Sequence, residues 1–111
     1  MNKCLALLLP LLLCFACRQK EERFPLNDEQ IVAILTDVHL AEAALANIGG
    51  PLKDSLAEIY YGQVFEIHQI DQTRFDSLMD YLQNHPVYMD SLYQRVLKRM
   101  EQQRQTTETS K

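Results

Sequence analysis

Apolar positions recur every three to four residues from Leu26 to Met100, and short polar breaks divide that pattern into four helices. Leu26-Asn27-Asp28-Glu29-Gln30-Ile31 reads as a helix start in which Asn27 caps, Gln30 reaches back as the third helical residue and Leu26 staples onto Ile31. Asp28 and Glu29 add negative charge where the helix dipole favours it. Ile31, Ile34, Leu35, Val38 and Leu45 follow at helical spacing, and Gly49-Gly50-Pro51 ends the helix after about 20 residues. A second helix begins between Pro51 and Ser55, with Ser55 and Glu58 as a capping box. It runs through Leu56, Ile59, Tyr60 and Ile67 to His68 or Gln69. Ile70-Asp71 opens the third, with Asp71 as cap and Ile70 stapled onto Phe75, and Phe75, Leu78, Met79 and Leu82 share one face. Asn84-His85-Pro86 breaks it, and Pro86 suits the first turn of a fourth helix carrying Met89, Leu92, Tyr93, Val96 and Met100. Glu101 to Lys111 is polar without an apolar repeat, which predicts a frayed tail over 101–111. The predicted fold is all-α, a small bundle of three or four antiparallel helices over residues 26–100.

Ahead of the bundle the pattern changes. Met1-Asn2-Lys3 is a short basic start, Cys4 to Phe15 is an apolar run, and Ala16 is the small residue before Cys17. The run is too short for a stable membrane span, which needs roughly 20 apolar residues. Residues 1–16 are therefore expected to be a cleaved signal peptide, with Cys17 the lipidated first residue of the mature chain and 17–25 a polar tether. An ordinary secretory leader is the alternative. Gln19-Lys20-Glu21-Glu22 resembles the acidic cluster that marks some Bacteroidota lipoproteins for the cell surface, or serves as a solvated linker.

Charge and cysteine content narrow the function classes. Cleavage leaves about 95 residues, enough for one domain at most. Losing Lys3 takes the formal net charge from -4 to about -5. That acidic balance, with no basic stripe and no Trp, argues against a nucleic-acid surface and against electrostatic adhesion to anionic lipid. The acyl chains would have to anchor the protein. With Cys4 and Cys14 gone, Cys17 is the only cysteine left and no intrachain disulfide is possible.

The cysteine, the segment Ile34-Leu35-Thr36-Asp37-Val38-His39-Leu40-Ala41-Glu42-Ala43, and Phe75-Asp76-Ser77-Leu78 followed by Tyr81, Asn84 and Pro86 resemble an uncharacterised Bacteroidota family of small helical lipoproteins. The likeness spans roughly Pro25 to Arg99. It implies a lineage and a location, the bacterial outer membrane, but no activity, cofactor or catalytic residue.

One position breaks the apolar stripe. With Ile31 as zero, Glu42 falls at about 20° on the first helix, among Ile31, Ile34, Leu35, Val38 and Leu45. His39 lies one turn earlier at the stripe's edge, within i,i+3 reach of it. Gln63 is central on the predicted core face of the second helix, so His39, Glu42, Tyr60, Gln63 and Tyr81 form a candidate polar cluster inside the bundle. Such a cluster either specifies helix pairing through satisfied hydrogen bonds or makes a ligand or proton-transfer site with Glu42 partly protonated. Tyr61 and Phe65 turn away from that core face, which suits a centrally packed helix or an exposed patch for a partner. Arg95 and Arg99 flank the fourth helix's apolar face, as solvated stems or as an anion site.

No metal is expected, because His39 and Glu42 run His-x-x-Glu rather than the paired Glu-x-x-His of helical di-metal bundles. No serine has a nucleophile context, no Gly-rich phosphate loop is present, and no cofactor is implied. The expected function is a lipid-anchored, non-catalytic interaction or accessory module for an envelope protein. The alternative is a small-ligand carrier or minimal acid/base enzyme using Glu42 and His39.

Overall fold

The computed structural model describes residues 23–110, so the expected leader, Cys17 and the tether up to residue 22 lie outside the described residues. Four helices and no strand occur among the described residues: α1 Asp28–Leu45, α2 Gly50–His68, α3 Gln72–Gln83 and α4 Pro86–Thr109. The starts of α1 and α3 follow from local chemistry. Asn27 Oδ1 accepts from the Gln30 amide at 2.8 Å while Gln30 Oε1 accepts from the Asn27 amide at 3.0 Å, a reciprocal box that satisfies two otherwise orphaned donors. Asp71 Oδ1 accepts from the Arg74 amide at 2.7 Å and starts α3 in the same way.

Helix α2 begins earlier than its Ser55-Glu58 pattern suggests. Gly49 is the cap and Gly50 enters at φ +66°, a conformation an L side chain resists, so glycine chemistry rather than a side-chain box starts this helix. Ser55 lies inside α2, its hydroxyl donating to the Pro51 carbonyl at 3.1 Å. Gln69, left-handed at φ 53°, closes it.

The central helix is α1. No residue from Ile31 to His39 is exposed, because two cores flank it. Ile31, Val32 and Leu35 pack with Leu78 and Leu82 of α3 and Leu92 and Val96 of α4. Ile34 and Val38 pack with Val64 and Ile70, with Tyr61, Phe65 and Phe75 against them. Leu26, just ahead of the cap, touches both. Thr36, fully buried, donates its hydroxyl to the Val32 carbonyl at 2.6 Å and so leaves nothing unsatisfied. Helices α1 and α2 run antiparallel: Asp37 meets His68 at 2.7 Å, and Glu42, further along α1, meets Tyr61, earlier along α2.

Helix α4 does not fray at Glu101 but continues to Thr109. Arg104 bridges Glu101 at 2.8 Å and Glu108 at 2.7 Å, and Thr106, Thr107 and Thr109 donate to carbonyls one turn back. Periodicity of apolar residues is blind to a helix supported by polar i,i+3 and i,i+4 pairs.

Candidate functional site

His39 and Glu42 meet as their spacing predicts, Nδ1 to Oε2 at 3.3 Å. The remaining residues of the expected five-member cluster do not join them. Glu42 is exposed, with half of its side chain in solvent, so the expected burial fails although its helical phase is correct. Ile31, Val32 and Leu35 face the α3/α4 core, and Glu42 shares that azimuth two turns later, where it projects past the end of that core. Gln63 is exposed and Tyr60 only partly buried on the outside of α2, while Tyr81 sits in a separate aromatic group at the start of the bundle.

Tyr61 and Tyr93 take their places. The Tyr61 hydroxyl donates to Glu42 Oε1 at 3.0 Å, and burial, then the bond to Glu42 and its charge, raise its pKa. The Tyr93 ring meets His39 edge-on at 5.2 Å, and its hydroxyl is also raised, by burial first and Glu42 second. Both phenols thus keep their protons more firmly than free tyrosine, and Tyr61 donates its own to Glu42.

The α2 phase inverts. Tyr61 and Phe65, read as candidates for an exposed patch, pack inward, Phe65 against Phe75 at 5.3 Å and Tyr61 against Phe65 at 6.2 Å. Leu56, Ile59, Tyr60 and Ile67, read as core, lie on the outside, where Leu52, Ile59 and Ile67 are 60%, 53% and 69% exposed. Two apolar stripes compete on this helix. The inner one wins because its aromatic rings bury more surface and its polar groups, Tyr61 and His68, find carboxylates on α1, whereas Gln63 and Tyr60 find none there.

A cleft of about 1120 Å³ opens where Arg23 to Glu29 lie against the end of α3 and the start of α4. Tyr81 is its centre, stacked on His85 at 4.1 Å and contacting Phe24 at 5.7 Å and Tyr88 edge-on at 6.3 Å. His85 Nδ1 is 2.7 Å from the Tyr81 carbonyl, which can only accept, so that nitrogen carries the proton. The Tyr88 hydroxyl donates to Asp28 at 2.6 Å, and its pKa is pushed up to about 12 by burial, then by the Asp28 bond and charge. Arg95, one of the two flanking arginines of α4, reaches Asp28 at 3.3 Å and also bonds Glu29. Sequence reading placed Asp28 and Glu29 in the first turn of α1 and Arg95 on α4. It missed their meeting because 60 or more positions separate the partners along the chain.

A family model described as a domain of unknown function (DUF4296) matches residues 25–106. The chain belongs to the DUF4296 family. No curated protein and no solved structure matches it. The DUF4296 unit takes in all of α1, α2 and α3 and carries α4 to Thr106, into the stretch that sequence patterning assigned to a tail. Among the described residues of this DUF4296 chain no three His, Cys, Asp or Glu side chains gather as a metal site, and no helix is long and apolar enough to cross a membrane.

Proposed function

We propose that this DUF4296 protein is an outer-membrane lipoprotein of a Bacteroidota envelope, anchored through acylated Cys17, that works by docking and has no catalysis of its own. The anchor rests on the apolar run from Cys4 to Phe15 with Ala16 before Cys17. One observation carries the docking: α2 turns Leu52, Ile59 and Ile67 to solvent along a single face. Apolar side chains aligned over several turns are a surface feature that needs covering, unlike single scattered ones. The alternative, a ligand carrier or acid/base enzyme, keeps the His39–Glu42 contact but loses the enclosed site it calls for, since half of the Glu42 side chain lies in solvent.

Two measurements test the proposal. Cys17→Ser should abolish fatty-acid labelling and release the chain from membranes; undiminished labelling refutes the anchor. A photoreactive residue at Ile59 should give a discrete covalent adduct in intact cells, and absence of any adduct from Leu52, Ile59 and Ile67 alike refutes the docking.

A further inference from the structure

We propose that the cleft between residues 23–29 and the start of α4 binds an uncharged saccharide, with aromatic rings against the sugar's C–H face and Arg23, Tyr81 and His85 on its hydroxyls. None of the lining residues belongs to α2, so this site goes beyond the docking reading and does not depend on it. Phe24, Tyr81, His85 and Tyr88 line the cleft, and none of the four is fully buried, so each keeps part of its ring open. Three polar side chains of the lining have capacity the fold leaves unused. Arg23 makes no ion pair and no hydrogen bond among the described residues. No buried side-chain nitrogen or oxygen there lacks a partner, yet the Tyr81 hydroxyl and His85 Nε2 have none, so both atoms are open to solvent. With its proton on Nδ1, the neutral His85 ring offers Nε2 as an acceptor, while Arg23 only donates and the Tyr81 hydroxyl does either.

Charge decides against an ionic ligand. Arg95 holds both Asp28 and Glu29, and Arg23 balances the negative charge left over, so the guanidiniums and carboxylates around the cleft sum to zero. An acidic ligand would meet Asp28 and Glu29, each with more than half of its side chain exposed, and a basic one would meet Arg23. The lining instead matches a molecule that is polar around its edge and apolar on its faces. Each hydroxyl of a sugar both donates and accepts, so it satisfies Arg23 and His85 Nε2 alike, and the C–H face of the ring lies on aromatic surface. The lining comes from three stretches, residues 23–29, Tyr81 near the end of α3, and residues 85–91, which surround a compact ligand rather than run beside an extended peptide. At about 1120 Å³ the cleft slightly exceeds the usual span of small-ligand pockets, about 300–1,000 Å³, and so has room for more than one sugar ring.

The test passes the full-length chain, extracted from membranes in a detergent without a sugar headgroup, over immobilised neutral di-, tri- and tetrasaccharides and their uronic-acid and free-amine counterparts. Neutral members should be retained in preference to charged ones. Tyr81→Phe keeps the ring and should weaken retention about two- to tenfold, the effect of one neutral hydrogen bond. Its unfolding midpoint should match wild type, because that hydroxyl has no partner among the described residues. Arg23→Ala should bring a further loss of similar size, whereas Arg104→Ala, which removes the same charge on the far turns of α4, should leave retention intact. If no neutral oligosaccharide is retained, if charged sugars are preferred, or if Tyr81→Phe and Arg23→Ala leave retention untouched, the assignment is refuted. It is refuted likewise if no sugar is retained and a photoreactive residue at Val87, 84% exposed on the cleft wall, joins a protein in intact cells, which would make the cleft a protein site. Adducts from Ile59 test the α2 face separately, so either reading can fail while the other stands.

Discussion

Replacing Tyr88 with Phe removes one hydroxyl and keeps the ring that packs against Tyr81, so its effect isolates the bond to Asp28. A hydrogen bond to a buried ionised acceptor contributes about 1.5–3 kcal/mol. Here Asp28 is more than half exposed and shared with Arg95, so screening lowers the expected loss to about 1 kcal/mol. In a domain of this length that corresponds to a fall in Tm of about 4–8 °C. The pH dependence carries the sharper signature. Tyr88 ionises at about 12 in the fold against an ordinary 10, so the folded state holds its proton longer than the unfolded chain. Its stabilisation is complete below pH 10 and is lost as pH rises through 12. Wild type and Tyr88→Phe should therefore differ most below pH 10 and converge above it. Ultraviolet titration should show one late-ionising tyrosine missing from the variant. Asp28→Asn should bring Tyr88 only part of the way back, because burial precedes Asp28 among the causes of the shift. A pH-independent gap between wild type and Tyr88→Phe, or a missing tyrosine that ionises at the ordinary 10, refutes this account.

Other perturbations separate local from tertiary contributions. Asn27→Ala should cost about 1 kcal/mol in urea unfolding and Asn27→Gly only a few tenths, because glycine leaves the cap's backbone accessible to water. Leu82→Ala empties a fully buried site between α1 and α4 and should cost about 2–5 kcal/mol in the same assay, enough to unfold much of a small domain. Ending the chain after Met100 should leave the unfolding midpoint unchanged while far-ultraviolet circular dichroism loses the signal of roughly two helical turns, since 101–110 is wholly exposed.

Helix boundaries were legible where a few consecutive residues decide them. Asn27 with Gln30, Asp71 with Arg74, and Asn84-His85-Pro86 each act within one turn, and each predicted terminus is where the structure has it. The orientation of α2 was not legible, because both of its faces are apolar and the choice depends on where α1 places Asp37 and Glu42 and where α3 places Phe75. Glu42 illustrates the same limit from the other side: periodicity gives its azimuth, whereas its exposure depends on where a neighbouring core ends. Of the expected polar cluster only the His39–Glu42 contact is local, and only that contact was predicted correctly. The Asp28–Tyr88–Arg95 group joins the first turn of α1 to α4, a distance along the chain over which spacing rules say nothing.

Leu26 touches both cores and stands just ahead of α1, the helix that both cores share. Mechanical load arriving through the N-terminus is therefore delivered to the one element whose displacement opens both halves together. Under tension such a domain has no sacrificial outer helix to peel away first and should yield in a single step. Force applied at the opposite end meets the projecting turns of α4 beyond Met100, which can unwind without disturbing either half.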